Sequence, residues 1–511
     1  MKNTSRNFGF FQTIRNLVAN GLFFLFDVII SMWYTPFLIG LLGRELYGLI
    51  PLAMSVKNYF SILTFSEKTS SDRFITVELE KGNKETANRI FNTNHVITLV
   101  IIAIAFPLII MMVAFVPNLF VIPEGMEWAG QLLFLAILGT YLLETYKINF
   151  EIAAFARNRF DLRNIISFGA RIIQVGIVLS LFYLDNPNII WVGVGAAGAS
   201  LFNLMGDFYL WRRLLPEISI HLRDFRKQHL KSLFGAGTWT LLYQIGFTLF
   251  LNVDMLIANR MLSLTMAGMY GALLSIPKNL RILSLAIGGI WGPSLMSRFS
   301  HSDNRGMEKL MDISIKLSGF VLALIVGLVC GMGGPFLEWW LGADFAALSG
   351  LLVLMSFPLA VNLIVQPFFN VLVTINKMKV PAISTIILGV LNLVLALVLV
   401  PYLELKGIVM AGVITMTLNY SVIIPIYVAK VTNLPWWHYS SRLAMILAAT
   451  ALVGSGTYLI SLVVELSSFT RLVIVGGSIS GIYLLLVYFL GLNSGERELV
   501  RGLLNRKSNT Q

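Results

Sequence analysis

Runs of about twenty or more mostly apolar residues recur along this chain with only short polar connections between them. That alternation limits the fold more than any other feature. An α-helix rises about 1.5 Å per residue, so about 20 such residues cross the hydrocarbon core of a bilayer. Fourteen segments qualify: 17–42, 46–65, 94–116, 128–150, 163–184, 189–210, 234–259, 266–295, 316–336, 348–373, 380–401, 407–429, 442–464 and 470–491. The chain is 57% hydrophobic and only 13% charged, with a mean hydropathy of +0.78. Soluble domains carry about 25% charged residues, so surface this apolar needs lipid to cover it. A β-barrel would show short alternating segments instead. The expected fold is an all-α integral membrane protein of about 14 transmembrane helices.

Charge sets the expected orientation. Lys and Arg concentrate in alternate connections: the N-terminus, 66–93, 147–163, 211–233, 298–316, 374–380, 430–442 and the C-terminal tail hold 30 of the 38. The intervening connections hold only Arg44, Arg260, Lys406 and Arg471. By the positive-inside rule both termini are expected in the cytoplasm of a bacterial inner membrane. The same rule accounts for the net charge of +12 without a nucleic-acid partner. The first apolar run is too long for a signal-peptide core of about 7–15 residues and reads as an uncleaved span. Cys330 is the single cysteine, which excludes a disulfide framework and reads as a small buried apolar residue. The five histidines, His95, His221, His229, His301 and His438, read as solvated or interfacial. No P-loop, nucleophile elbow or His/Cys metal spacing is present. No metal site and no cofactor are expected; a coupling ion is left open.

The chain also repeats. Tyr47-Gly48 opens the second segment and Tyr270-Gly271 the eighth; Arg73-Phe74 and Arg298-Phe299 follow their exits at nearly the same offset. A shift of six spans keeps orientation, as in a parallel repeat. This predicts an N-lobe over 1–210, a basic linker over 211–233, a C-lobe over 234–430, and two further helices with a basic tail over 431–511. For the linker two readings stand: an amphipathic helix on anionic headgroups, or a solvated loop.

Four cations remain inside the apolar segments: Lys57, Arg171, Lys278 and Arg281. Each costs at least about 2.5–3.5 kcal/mol at bilayer depth, so such groups face a protein interior or a wet cavity. Lys57 sits about 16 Å from the outer boundary, and Arg171 about 13 Å from the cytoplasmic one. Lys278 and Arg281 are three apart and share a helix face. In the repeat frame Lys57 falls opposite that pair. The acids are Asp27, Asp254, Glu144 and Asp207. One reading is internal pairing, Asp27 with Lys57 and Asp254 with Lys278 or Arg281. The other is a cavity of surplus positive charge suited to phosphate or pyrophosphate, with Asp27 and Asp254 balancing charge or coupling an ion. Pro51 and Pro277 precede the cations of the paired segments and read either as hinges or as the prolines common in membrane helices.

The run Leu42-Gly43-Arg44-Glu45-Leu46-Tyr47-Gly48-Leu49 resembles the LGxExYGLW opening of polysaccharide exporters. Trp340-Leu341-Gly342-Ala343-Asp344-Phe345 resembles their WLGxxF, and Asn392-Leu393 through Pro401 to Lys406-Gly407-Ile408 resembles their N…P…GIxGAA. The last departs from the pattern at Met410, where a small residue is expected. The resemblance spans the chain and points to the multidrug/oligosaccharidyl-lipid/polysaccharide (MOP) superfamily, in its Wzx-like branch. It implies two six-helix lobes and alternating access. It further implies a flippase for undecaprenyl-pyrophosphate-linked oligosaccharides in surface polysaccharide synthesis, not an enzyme. Lys57, Lys278, Arg281 and Arg171 become the expected substrate-binding residues. The expected partners are the lipid-linked oligosaccharide, membrane lipids, and a polysaccharide polymerase and glycosyltransferases. The alternatives are a cation-coupled multidrug exporter of the same superfamily and a membrane-embedded polymerase or ligase.

Overall fold

The computed structural model describes residues 2–228, 238–289, 291–300 and 303–497. Every regular element among them is helical, and twelve stretches are long and apolar enough to cross a membrane. Two of these, Val18–Thr64 and Lys379–Val431, far exceed one bilayer. Each contains a break. Gly43 has φ 78° inside α1 (Lys2–Phe60), a left-handed backbone that glycine adopts freely. Glu404 has φ 51° and ψ −132° inside the later stretch Lys379–Thr417.

Packing shows that the chain turns back at both breaks. Tyr47 hydrogen-bonds Thr35 across the first, a contact no continuous helix permits over twelve residues. Across the second, a Cβ on Gly407 would lie 2.6 Å from the Leu399 carbonyl oxygen. The expected segments divide at these same places. Beyond that, the expected and observed spans agree to within a few residues except where helices run on past the apolar run, as in Lys84–Leu119 and Arg305–Leu341.

The chain forms two compact units, Met1–Ala272 and Leu273–Gln511. In the first, α1 is followed by α2 (Ile62–Glu80), α3 (Lys84–Leu119), α4 (Glu127–Ala156), α5 (Phe160–Leu184), α6 (Ile189–Leu214), α7 (Thr238–Met261) and α8 (Leu264–Leu273), which meets the unit boundary. Small residues bring these helices together, as membrane packing requires. Cβ atoms on Gly193, Gly198 and Gly206 of α6 would lie 2.5–2.8 Å from Ala136, Ile177 and Ile166. Around the fully buried Trp211, the rings of Phe91, Phe150 and Phe208 lie 5.3–5.6 Å away. Beside them Asn94 donates to Asn149 at 3.1 Å, and Asn149 to Thr98 at 3.0 Å, inside the fold. His95 is buried here between Phe91 and Tyr146, which corrects the interfacial placement expected for it.

The second unit contains α9 (Ser275–Gly289), α10 (Gly292–Ser300), α11 (Asn304–Leu341), α12 (Ser349–Ser356), α13 (Gln366–Thr374), α14 (Lys379–Thr417), α15 (Ile424–Val431), α16 (Ser440–Val463) and α17 (Phe469–Leu486). Cβ atoms on Gly319, Gly327 and Gly331 of α11 would press on Ile446, Val453 and Thr457 of α16 in ascending order, so these helices run parallel. Cys330, expected to be buried, is half-buried.

Candidate functional site

In the first unit two of the four cations face a carboxylate. Lys57 follows the Gly43 reversal and lies beside α4, where its Nζ is 2.7 Å from Glu144 Oε1. Arg171 on α5 lies beside the first half of α1, and its Nε is 3.1 Å from Asp27 Oδ1. Arg171 also donates to Ser31 Oγ at 3.0 Å and to Gln174 Oε1 at 2.8 Å, and its guanidinium lies 5.8 Å from the Tyr34 ring centre. The side chains of Lys57 and Arg171 are 20% and 19% exposed, so each keeps a narrow approach to its surroundings.

These pairs correct the expected match of Asp27 with Lys57. The reason is the register set by the reversal. The first half of α1 runs parallel to α5, with Asn16 on Asn158, Asn20 on Asn164, Phe26 against Phe168 and Phe37 against Phe182. That alignment brings Asp27 to Arg171. Lys57 lies after the turn, on a different neighbour. Arg171 has no counterpart in the sequence repeat, yet Asp27, Ser31 and Gln174 all engage it. Glu144, read from sequence only as a carboxylate near a span end, is the direct partner of Lys57.

Asp254 lies on α7, where the Tyr270 hydroxyl donates to its Oδ2 at 3.1 Å. Close by, Asn58 beside Lys57 donates to Asn252 at 2.8 Å. Pro51 does not interrupt its helix; its ring packs where a Cβ on Gly271 would lie, 2.5 Å away.

In the second unit Lys278 and Arg281 both lie on α9. The span that carries them breaks just ahead of them: α8 ends at Leu273 and α9 begins at Ser275. Pro277 explains the break. It has no N–H, and its ring excludes the carbonyl four residues back, that of Leu273. Helix bonding resumes with the Lys278 amide on the Leu274 carbonyl at 3.1 Å. The break places Lys278 in the first turn of α9 and Arg281 in the next. The positive end of the helix dipole therefore reaches Lys278 and falls off before Arg281. Lys278 is exposed, while Arg281 is half-buried with Nη2 3.5 Å from Met416 Sδ.

In the first unit Lys57 and Arg171 are matched by Glu144 and Asp27, with Asp254 in addition. On α9 Lys278 and Arg281 lie three residues apart on one helix, which suits an anion carrying several oxygens. Among the described residues one cluster could share a cation: Glu308, Asp312 and His438, with ligand atoms within 4.8 Å of one another. Asp312 there is already bound by Arg442 at 2.5 Å and His438 at 3.1 Å.

No family model matches the chain. It is 31% identical over 488 residues to the uncharacterized membrane protein EpsK of Bacillus subtilis, covering 95% of this chain and 96% of that one. Its fold is similar to that of the lipid II flippase MurJ in an inward closed conformation, with a TM-score of 0.64 and 14% identity over 93% of this chain and 99% of that one. It is similar as well to an inward-facing multidrug resistance MATE family transporter, with a TM-score of 0.63 and 15% identity over 83% of this chain and 96% of that one.

Proposed function

We propose a function from one premise: this chain belongs to the MOP superfamily, as a relative of EpsK. The protein carries a lipid-linked oligosaccharide across the cytoplasmic membrane by alternating access, for the synthesis of a surface polysaccharide. The observation that carries this reading is the broken span that sets Lys278 and Arg281 on the opening turns of α9. Helix N-termini at broken membrane helices point at anionic groups of substrates. A pyrophosphate between a polyprenol and a sugar is such a group.

Arginine's planar fork binds phosphate oxygens bidentately, and lysine binds them as a point charge. Lys278 and Arg281 act in these two ways. Lys57 exchanges Glu144 for substrate phosphate, and Arg171, held by Asp27, contributes field more than contact. Asp27 is therefore a charge-balancing group, and Asp254 the candidate for ion coupling. Pro277 is the hinge candidate that coincides with a break; Pro51, the other hinge candidate, lies inside an unbroken stretch of helix. A coupled ion or the membrane potential, worth about 2.3 kcal/mol per charge per 100 mV, supplies any net driving force.

Alanine substitution at Lys57 and at Arg281, scored in a polymer-export complementation assay at matched protein levels, tests the reading. Export should fall in both; full export in both would sink the cation site. Three intramembrane carboxylates of the first unit, Asp27, Glu144 and Asp254, favour a second reading, a cation-coupled exporter of organic cations. A drug-resistance profile on overexpression separates the two.

A further inference from the structure

The segment after α6 is not a free connection. It runs mostly extended along the start of α3, with short turns at Pro216–Glu217 and Leu222–Asp224. Over 215–227 this excludes the amphipathic helix that the sequence allowed; 229–237, with Lys231, lies outside the described residues. The segment is fastened by side chains of α3 that take the place of a neighbouring strand. Asn92 donates to the Ser219 carbonyl at 2.8 Å and accepts from the His221 amide at 2.7 Å. Asn88, one turn earlier, accepts from the Ser219 amide at 2.8 Å and donates to Asp224 at 3.1 Å. Thr93 accepts from the Arg226 amide at 3.1 Å. Leu215 and Ile218 are fully buried in the aromatic core around Trp211.

The charges divide in one direction. Both acids are used internally: Glu217 pairs with Arg157, and Asp224 accepts from Asn88. Arg212, Arg213, Arg223, Arg226 and Lys227 are all exposed, and none pairs with an acid among the described residues. Arg212 lies over two aromatic rings, its guanidinium carbon 4.5 Å from the Trp211 ring centre and 5.4 Å from that of Phe208. Between the cations Leu222 is 55% exposed. A solvated loop has no need of this fastening. A surface that must present fixed cations and one apolar side chain beside the end of a membrane span does.

We propose that residues 212–227 form a preformed docking surface for anionic phospholipid headgroups, with the cations on the phosphates and Leu222 at the interface. Basic groups near an anionic leaflet each add about 1 kcal/mol, close to a five-fold effect. The proposal does not depend on what the protein transports.

The full-length protein in nanodiscs of phosphatidylcholine, with and without phosphatidylglycerol, provides the test. Spin-labelled phosphatidylglycerol and phosphatidylcholine report the relative association of each lipid. The wild type should prefer phosphatidylglycerol, and the preference should weaken with salt. The Arg212→Gln/Arg223→Gln/Arg226→Gln variant should lose about five-fold of it per cation removed. An Arg305→Gln/Lys309→Gln/Lys377→Gln variant should keep it. Asn92→Ala, which leaves every charge in place, should lose part of it. Equal losses in the two triple variants would overturn the proposal, as would full preference in the first. Full preference in Asn92→Ala would overturn the preformed surface.

Discussion

Gly268 on α8 meets the turn at the start of the second half of α1 without any side chain between. A Cβ there would lie 1.8 Å from the Arg44 carbonyl oxygen and 2.7 Å from its carbon, while a Cβ on Gly48 would lie 2.9 Å from the Gly268 Cα. Close carbon–oxygen contacts in proteins fall at about 3.3–3.6 Å. Gly268→Ala must therefore part the two backbones by about 1.5 Å, and a backbone oxygen has no rotamer by which to move aside. Overpacking of this kind costs about 1–3 kcal/mol. Alanine returns about 1 kcal/mol of helix propensity, so the net loss is up to about 2 kcal/mol. Gly350 is the control, since a Cβ there meets nothing within 4 Å and it too lies in a helix. Gly350→Ala should be neutral or stabilising. Thermal unfolding in detergent, at one scan rate because such unfolding is commonly irreversible, compares the two. Equal midpoints for the two variants would refute the close-approach argument.

Three further outcomes follow from the geometry. Arg171→Met should destabilise by about 1–2 kcal/mol, discounted because Asp27 is 38% exposed, and Asp27→Asn in the same chain should recover part of the loss; strictly additive midpoints would contradict the pair. Glu404→Gly should raise the unfolding midpoint, because relief of about 1–3 kcal/mol of strain at φ 51° outweighs the roughly 0.5–1 kcal/mol entropic cost of glycine; a lower midpoint would count against a strained turn. Trp211→Ala should cost about 3–5 kcal/mol and with it most of the monodisperse protein on size-exclusion chromatography; a normal yield would show that the aromatic cluster is not what holds this end of the unit.

The spans were legible because each depends only on a local run of apolar residues. Even the reversals were visible, one at Gly43 and the other between Pro401 and Gly407, since bilayer thickness forbids a 53-residue crossing. The break before Lys278 was foreshadowed by Pro277, whose effect on the preceding carbonyl is also local. Ion-pair partners were not legible. Lys57 and Glu144 are 87 positions apart, and which carboxylate reaches which cation depends on helix register that no single segment encodes. The fastening of 215–226 by Asn88, Asn92 and Thr93 was hidden for the same reason. Asparagines near a helix start suggest caps, and nothing in their spacing names a strand partner 130 residues away.

Transbilayer movement of a polyprenyl-pyrophosphate-linked oligosaccharide, followed in proteoliposomes of the purified protein by its accessibility to an external glycosidase, bears most directly on the central claim. The wild type should expose substrate from the inner leaflet, and Lys278→Ala/Arg281→Ala should not, while Lys309→Ala behaves as wild type. Movement unaffected by loss of both α9 cations, or movement of organic cations with none of the lipid-linked sugar, would contradict the account.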